Sequence, residues 1–258
     1  MTEIRLAIES RGEASRVASV TVDNPAKLNI LDPAGIGALE RTLDELAADE
    51  ALRVVILRGA GNRAFIGGAD IRAMATLDRE SSRTFITGLH RACQAIRNLP
   101  VPVIARIEGY ALGAGLEIAA SCDLRVAADT ARLGMPEVKV GIPSVIEAAL
   151  LPRLVGWGRA RRLLYTDEII DAEEAERWGL VERVVASSGL DAAVEACVAA
   201  ILGAAPRAIR LQKALIREWE DLPLHAAIEC GIDAFADAYA TSEPAARMAA
   251  FLRKRTSH

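Results

Sequence analysis

The sequence predicts an α/β fold with a helical C-terminal region, and three observations support this class. The 258-residue chain is 52% hydrophobic, which suffices for one sizeable core and excludes a disordered or low-complexity protein. Up to about residue 143, short apolar runs alternate with amphipathic helical patterns. From residue 144 onward, helical patterns fill nearly all of the chain. Alternation followed by helices is typical of an α/β core that carries a helical extension.

The strands are predicted where short runs of β-branched or other apolar residues are bounded by charged residues, Pro or Gly. These strands are 16–22, 53–58, 101–107, 124–127 and, further along the chain, 181–185. Between them, apolar residues that recur every three to four positions predict helices over 35–48 and 82–99, and a short helix that ends at Ser121.

Helical periodicity also predicts the elements of the second part: 144–155, 158–165, 171–178, 190–203, 206–219, 223–240 and 243–254. We therefore expect a core over residues 1–190 and a helical region over 191–258. Apolar helix faces, such as that of Ala193, Val194 and Ile201, are too extensive merely to cap the core. The helical region is thus predicted to bury part of its surface against copies of the same chain.

Charge and cysteine content limit the partners and the compartment. The chain has 31 basic and 35 acidic residues, a net charge of −4, which disfavours a nucleic-acid-binding protein. The longest apolar runs are too short for a transmembrane helix, and the charged N-terminus does not resemble a signal peptide. The four cysteines form no C-x-x-C pair. We expect a cytoplasmic protein with reduced thiols and no membrane partner.

Several common catalytic motifs are missing from the sequence. It contains no P-loop, no G-x-S-x-G nucleophile motif and no H-E-x-x-H or clustered Cys/His zinc motif. The three histidines are His90, His225 and His258, and His90 is interpreted as an ordinary residue of a helix. No metal site is therefore expected.

One glycine motif needs separate treatment. Residues 59–64, G-A-G-N-R-A, match the dinucleotide-binding pattern G-x-G-x-x-[G/A] directly after a strand. That pattern also requires a helix to begin at this point. The following Phe65-Ile66-Gly67-Gly68 is a poor helix start, because Gly disfavours helix. A dinucleotide oxidoreductase is therefore only a rival interpretation.

Two further glycine segments follow predicted strands, namely 65–71 and 113–117. Turns built from such small residues leave backbone N–H groups unpaired and open to a ligand. Two such turns at the ends of neighbouring strands could direct two N–H groups at one oxygen, which would form an oxyanion hole. The alternative is that both are ordinary tight turns.

Two glutamates are flanked by apolar residues. Glu117 lies within the apolar segment 110–120, and Glu137 lies between Met135-Pro136 and Val138. A carboxylate in such surroundings is either paired or functional. Two partly buried carboxylates can raise each other's proton affinity and act as acid and base near neutral pH. The alternative for each is a structural salt bridge.

In these segments the chain resembles the enoyl-CoA hydratase/isomerase superfamily, the crotonases. The matching segments are N-P-A-K-L-N (24–29), R-V-V-I-L-R-G-A-G-N-R-A-F-I-G-G-A-D-I (53–71), residues 102–127, M-P-E-V-K-V-G-I-P (135–143), L-P-R-L-V-G (151–156) and residues 170–185. The C-terminal S-E-P-A-A-R-M-A-A-F-L-R-K-R resembles the closing helix of the family. The resemblance covers nearly the whole chain in order. It implies a spiral of ββα units with a C-terminal trimerisation region, and a homotrimer or homohexamer.

The resemblance also implies a site for an acyl-CoA. Carried over residue by residue, the oxyanion amides are those of Gly67 and Ala114, and the two catalytic glutamates are Glu117 and Glu137. The implied substrate-binding residues are Ala26, Lys27, Leu28, Gly68, Ala69, Asp70, Ile71 and Gly113. The implied reaction is hydration of the C2=C3 bond of an enoyl-CoA, with the C2 proton delivered by way of Glu137. Coenzyme A is part of the substrate, and no metal or redox cofactor is expected.

Other interpretations remain open within and beyond this family. The chain could be an enoyl-CoA isomerase, another acyl-CoA lyase or hydrolase, or a non-catalytic subunit of the same fold. One departure from the family bears on the substrate: residues 144–149 read S-V-I-E-A-A where a Gly-rich run is usual. The bulk of Val145 and Ile146 is expected to narrow the acyl pocket. Glu147 adds a third carboxylate, as a helix-dipole partner or as a pocket residue that selects polar acyl groups.

Overall fold

The computed structural model of the protein describes residues 1–12 and 14–255. The chain divides into two compact units, Met1–Cys197 and Val198–His258, close to the boundary predicted at residue 190. All the strands of the described residues belong to the first unit.

The first unit is built on two sheets. Its strands are β1 (Glu3–Ser10), β2 (Arg16–Asp23), β3 (Leu52–Gly59), β4 (Ala64–Ile66), β5 (Val103–Ile107), β6 (Tyr110–Leu112), β7 (Leu124–Ala128), β8 (Arg132–Gly134), β9 (Ile169–Asp171) and β10 (Arg183–Val185). The larger sheet has the order β1-β2-β3-β5-β7-β10, and the smaller one has the order β4-β6-β8-β9. In the larger sheet all pairs except β1 with β2 are parallel.

The helices follow the strands in the order that a ββα spiral requires. They are α1 (Pro33–Ala47), α2 (Ile71–Met74), α3 (Arg79–Asn98), α4 (Ala114–Ser121), α5 (Leu151–Val155), α6 (Trp157–Thr166), α7 (Ala172–Trp178), α8 (Leu190–Gly203), α9 (Pro206–Trp219), α10 (Leu224–Ala238) and α11 (Glu243–Arg255). Each of the pairs β3–β4, β5–β6 and β7–β8 places its first strand in the larger sheet and its second in the smaller one. This arrangement confirms the α/β class and the repeated ββα units.

Helix α3 shows how local sequence fixes these elements. Asp78 accepts a hydrogen bond from the Ser81 N–H at 2.8 Å, and the Ser81 hydroxyl accepts one from the Asp78 N–H at 2.9 Å, so a capping box starts the helix. Its buried stripe, which includes Leu89, Cys93 and Ile96, belongs to the core, where α3 contacts helices α1 and α4. At 25 cal/mol per Å², burial of each such side chain contributes about 1.5–3 kcal/mol.

The structure differs from the sequence prediction in three places. Strand β1 was not predicted, and the four strands of the smaller sheet were missed because three residues are too few to show a period of two. Residues 144–155 were predicted as one helix, but they form a 3₁₀ turn, Ile146–Leu150, followed by α5. The α-helix cannot extend back through Ile146, because φ at this residue is +40°.

Three further observations concern thiols, metals and membranes. Within the described part of the chain, no disulfide links Cys93, Cys122, Cys197 or Cys230, and burial raises the pKa of the Cys93 thiol well above its usual range. Within 1–12 and 14–255, His, Cys, Asp and Glu side chains form no group of three that could hold a metal ion. In the same ranges no single helix is long and apolar enough to cross a membrane, although the helix pair 187–203 and 206–219 has the length and composition if taken together.

Candidate active site

The two glycine loops predicted from the sequence meet at one edge of the smaller sheet. Strands β4 and β6 are parallel neighbours, so the loops that follow them emerge side by side. A side chain at Gly115 would collide with the backbone carbonyl of Ile66, and one at Gly68 would lie 3.3 Å from the carbonyl oxygen of Leu112. Glycine is therefore needed at position 115 because the two backbones approach each other closely, and at position 68 because φ is +119° there.

The second loop supplies a free amide. Helix α4 begins at Ala114, directly after Gly113. The first N–H groups of a helix have no partner within it, and the N–H of Ala114 has no acceptor among the described residues. This N–H is therefore available to a ligand, as predicted for an oxyanion donor.

The first loop differs from the prediction. The N–H of Gly67 donates to the carbonyl oxygen of Leu28 at 2.8 Å, so this amide is already occupied. Leu31 and Ala69 form a parallel bridge, in which Leu31 N–H donates to Gly68 O and Asp70 N–H donates to Leu31 O. In extended backbone, successive N–H groups point to opposite sides, so the N–H of Ala69 points away from Leu31. Like the N–H of Gly68, it has no acceptor within the described part of the chain, and it is an open amide of this loop.

The segment 24–31 fixes the first loop from the outside. Leu28 and Asn29 adopt left-handed backbone, with φ of +57° and +55°. The buried Asn29 side chain donates to the carbonyls of Ala60 and Ala64, at 2.9 and 2.7 Å, and accepts from the N–H of Asn24. Such a fully bonded buried amide makes the position of the loop well defined.

A cavity of about 220 Å³ lies over the two loops. Eight of the predicted site residues line it: Gly67, Gly68, Ala69, Ile71, Gly113, Ala114, Glu117 and Glu137. The other four, Ala26, Lys27, Leu28 and Asp70, do not. Ala26 and Lys27 lie exposed on a 3₁₀ turn, Pro25–Lys27, and the Asp70 carboxylate caps α2 by accepting from the Arg72 N–H. These four residues remain candidates only for parts of a ligand that extend beyond the cavity.

The rest of the cavity wall is mostly apolar and was not predicted. Met74 of α2 and Phe85, Ile86 and Leu89 of α3 contribute to it, together with Val140, Ile142 and Val145 from the segment after Glu137. The apolar stripe of α3 is visible in the sequence, but periodicity does not tell a cavity wall from a core face. Val145 lines the cavity, as expected, whereas Ile146 does not.

Glu117 lies at the base of this cavity, on the first turn of α4, and is only 4% exposed. Its Oε1 accepts a hydrogen bond from the N–H of Ala148 at 3.2 Å. Burial raises its pKa to about 8, and the charge of Glu137 adds to this effect. Glu117 is therefore mainly protonated at neutral pH, as an acid catalyst requires.

Glu137 faces the same cavity from a 3₁₀ turn, Glu137–Val140, and is half-buried. Its Oε2 accepts a hydrogen bond from the hydroxyl of Ser144 at 2.8 Å. A side chain at Gly113 would collide with its Oε1, and Gly113 also has φ of +52°. Ser144 was not predicted as a site residue. The one signal for it in the sequence is that it belongs to residues 144–149, which differ from the Gly-rich run of the family.

Glu147 differs from both interpretations made from the sequence. It does not line the cavity but is buried against α3, where its Oε1 accepts from Gln94 Nε2 at 2.8 Å and lies 2.9 Å from His90 Nδ1. It lies on a 3₁₀ turn rather than in the first turn of an α-helix. His90, interpreted from the sequence as an ordinary helix residue, thus bonds a buried carboxylate.

The rival dinucleotide motif lacks its helix. Gly59 ends β3, residues 60–63 form a turn, and β4 follows at Ala64. A side chain at Gly59 would collide with the carbonyls of Ala64 and Phe65, so this glycine serves the close packing of the two backbones. Without a helix N-terminus, the segment has no place for a pyrophosphate.

Comparison with known proteins agrees with this geometry. A sequence model described as "Enoyl-CoA hydratase/isomerase" matches residues 12–258. The chain is 36% identical to a short-chain-enoyl-CoA hydratase of Clostridium acetobutylicum, over 93% of this chain and 92% of that one. It is also 36% identical to a crotonyl-CoA hydratase of Syntrophomonas wolfei, over 94% of both chains. The crystal structure of an enoyl-CoA hydratase of Mycobacterium smegmatis superposes with a TM-score of 0.91 at 32% identity and 96% coverage of both chains.

Proposed function

The chain belongs to the enoyl-CoA hydratase/isomerase family, and from that premise we propose that it is an enoyl-CoA hydratase, which adds water across the C2=C3 bond of an enoyl-CoA thioester. The observation that carries the proposal is the pair Glu117 and Glu137, which face one cavity beside two open amides. An isomerase needs only to move a proton from one carbon to another. Hydration needs one group to accept a proton from water and a second group to donate a proton to C2.

The amides activate the substrate. The thioester oxygen accepts hydrogen bonds from the N–H groups of Ala69 and Ala114, which draws electron density from C3 and stabilises the enolate that forms. Ala69 replaces Gly67 in this role, because the Gly67 N–H is bonded to Leu28. Each such donor contributes about 10²–10³ in rate.

The two carboxyl groups act as one acid–base unit that carries one proton. Water gives a proton to the unprotonated carboxylate as its oxygen bonds to C3. The C2=C3 π electrons move toward the thioester, and the protonated carboxyl group delivers its proton to C2. In the free protein the raised pKa of Glu117 keeps the shared proton there, whereas the sequence argument assigned proton delivery to Glu137. In the proposed step the reacting water lies between the two carboxyl groups and exchanges protons with either of them, so either group can deliver the proton to C2.

This step consumes only water and the thioester, so the proposal includes no cofactor beyond the coenzyme A of the substrate. The apolar side chains of Met74, Phe85, Ile86 and Leu89 in the cavity wall favour an alkyl acyl group. A cavity of about 220 Å³ suits a short chain better than a long one.

Loss of the ultraviolet absorbance of the conjugated enoyl thioester tests the proposal directly. Crotonyl-CoA should lose this absorbance, and the product should be 3-hydroxybutyryl-CoA by mass. A shift of the double bond without a gain of water would identify an isomerase instead. A lack of turnover with crotonyl-CoA, longer enoyl-CoAs and aromatic enoyl-CoAs would refute the proposal.

We also propose that the protein assembles through its C-terminal helices as a homotrimer or homohexamer. Large apolar side chains recur every three to four residues along α10, so they share one helix face, and Tyr239 continues this spacing just after the helix. These residues, Leu224, Ile228, Ile232, Phe235 and Tyr239, are 53–79% exposed. Five large, exposed apolar side chains on one helix face are typical of an interface. Light scattering at micromolar concentration should give three or six chains, and a monomer would contradict the assembly.

A further inference from the structure

Residues 144–149, which differ from the usual Gly-rich run of the family, place a third carboxylate, Glu147, in a buried position. The Glu147 side chain is 5% exposed, and its Oε2 is buried without a hydrogen-bond partner among the described residues. Burial of a carboxylate oxygen without a hydrogen bond is destabilising, so it persists only where other contacts hold the side chain.

Helix α3 supplies these contacts. His90 and Gln94 are one helical turn apart, so they share a face of α3, and both reach Glu147 Oε1. The neutral side-chain amide of Gln94 donates through Nε2. The His90 side chain is 45% exposed, so it connects the cluster of His90, Gln94 and Glu147 to solvent. Two donors therefore bind one oxygen of Glu147 and leave the other oxygen free.

The backbone next to Glu147 is strained. Ile146 has φ of +40°, in a region that β-branched side chains avoid for steric reasons. The N–H of Ala148 donates to the Val145 carbonyl oxygen at 2.9 Å and also lies 3.2 Å from Glu117 Oε1, so the residue after Glu147 contacts the catalytic pair directly. The strain and the buried charge thus occur in the same turn that supports Glu117.

We propose that Glu147 is a positioning residue for Glu117, which acts through the bonded Ala148 N–H and through its own charge, with His90 and Gln94 holding it in place. The inference rests on the proposed function, since it assigns a role in the same acid–base unit. Glu147 raises the proton affinity of Glu117 as a nearby like charge, in addition to burial and to Glu137.

The groups that face Glu147 are known on each neighbouring element. Helix α3 contributes His90 and the buried Cys93, whose pKa is raised mainly by burial and further by the charges of Glu147 and Glu117. On helix α4 the titratable group is Glu117, on which the charges of Glu137 and Glu147 both act. Helix α5 carries Arg153, whose side chain is exposed.

The central test is Glu147→Gln, which keeps the shape and the oxygen that accepts from Gln94 but removes the charge. Titration of the Glu117 carboxyl by ¹³C NMR, assigned by its loss in Glu117→Gln, should show a pKa lower than in the unsubstituted protein by roughly half a unit to one unit. The high-pH limb of kcat/KM should move in the same direction by the same amount, with KM little changed. Glu108→Gln is the matched control, because Glu108 is a half-buried carboxylate bonded to Arg106 that does not line the cavity.

A second variant keeps the test decisive if Glu147→Gln does not fold. His90→Ala removes a partly exposed side chain and weakens the hold on the Glu147 charge, so the Glu117 pKa should fall by a smaller amount. An unchanged Glu117 titration in both variants would overturn the inference. The NMR titration needs no turnover, so a protein that hydrates no enoyl-CoA yet shows these shifts would refute the proposed function alone.

Discussion

Glu117 and Glu137 face the same cavity, yet their surroundings differ. Glu117 is buried on the first turn of α4, and its Oε1 accepts a long, 3.2 Å hydrogen bond from the N–H of Ala148. Glu137 is half-buried on a 3₁₀ turn and accepts the hydroxyl of Ser144 at 2.8 Å. Two identical side chains are thus placed so that one holds a proton more tightly than it would in water. The difference teaches that burial raises the proton affinity of one of two identical side chains that face the same cavity.

The largest expected effect comes from removing either member of the pair. Glu137→Gln and Glu117→Gln should each lower kcat by about 10²–10⁴, because each removes a group that gains or loses a proton in the reaction. The double variant should be little worse than either single one, since the two groups handle one water. Steady-state kinetics with crotonyl-CoA measures this, and strictly multiplicative losses would show that the two groups act independently.

The sequence predicted the members of this pair but not their difference. Glu117 and Glu137 stand out because each is set among apolar residues, and this signal is local. The N–H of Gly67 could not be recognised as occupied, because its acceptor, Leu28, is 39 positions away in the chain. Short strands of three residues, such as β4, also escape detection, since neighbouring strands rather than local pattern stabilise them.

Gly113 lies against the carboxyl group of Glu137 and offers a way to disturb the site from the backbone. Gly113→Ala would place a methyl group against Glu137 Oε1 and force alanine into φ of +52°. We expect kcat to fall by about 10–10² and the free energy of unfolding to fall by about 1–3 kcal/mol.

The matched control for that change is Gly179→Ala. Gly179 has φ of +80° at the end of α7, with its nearest neighbour, the Leu154 carbonyl oxygen, at 3.5 Å from an added methyl group. It should lose about 1 kcal/mol of stability and keep its kcat. Equal kcat values for the two variants would show that Gly113 matters only for backbone conformation.

The raised pKa of Glu117 also predicts a pH-dependent effect on stability. The folded protein binds this proton more tightly than the unfolded chain, whose ordinary value is 4.5, so stability falls as pH rises from 4.5 toward 8. Glu117→Gln removes this loss. We compare the free energy of unfolding of Glu117→Gln with that of the unsubstituted protein at each pH. This difference should favour the variant by about 1–3 kcal/mol more at pH 8 than it does at pH 5.

Chemical unfolding at the two pH values measures this difference. Glu108→Gln controls for the loss of one carboxylate, and it should lower stability at both values because it breaks the pair with Arg106. If Glu117→Gln gains no stability at pH 8 relative to pH 5, Glu117 is not the proton-holding member of the pair.

The smallest effect on stability is expected at Ile146, the strained residue two positions before Ala148, which bonds Glu117. Ile146→Gly relieves a φ of +40° but loses the apolar contacts that the half-buried side chain makes with the core. These two contributions oppose each other, so the free energy of unfolding should change by less than about 1 kcal/mol. Ile96→Gly, at a fully buried site on α3, should cost at least about 3 kcal/mol. Similar losses at both positions would mean that Ile146 carries no strain, and that the turn beside Glu117 is supported by packing alone.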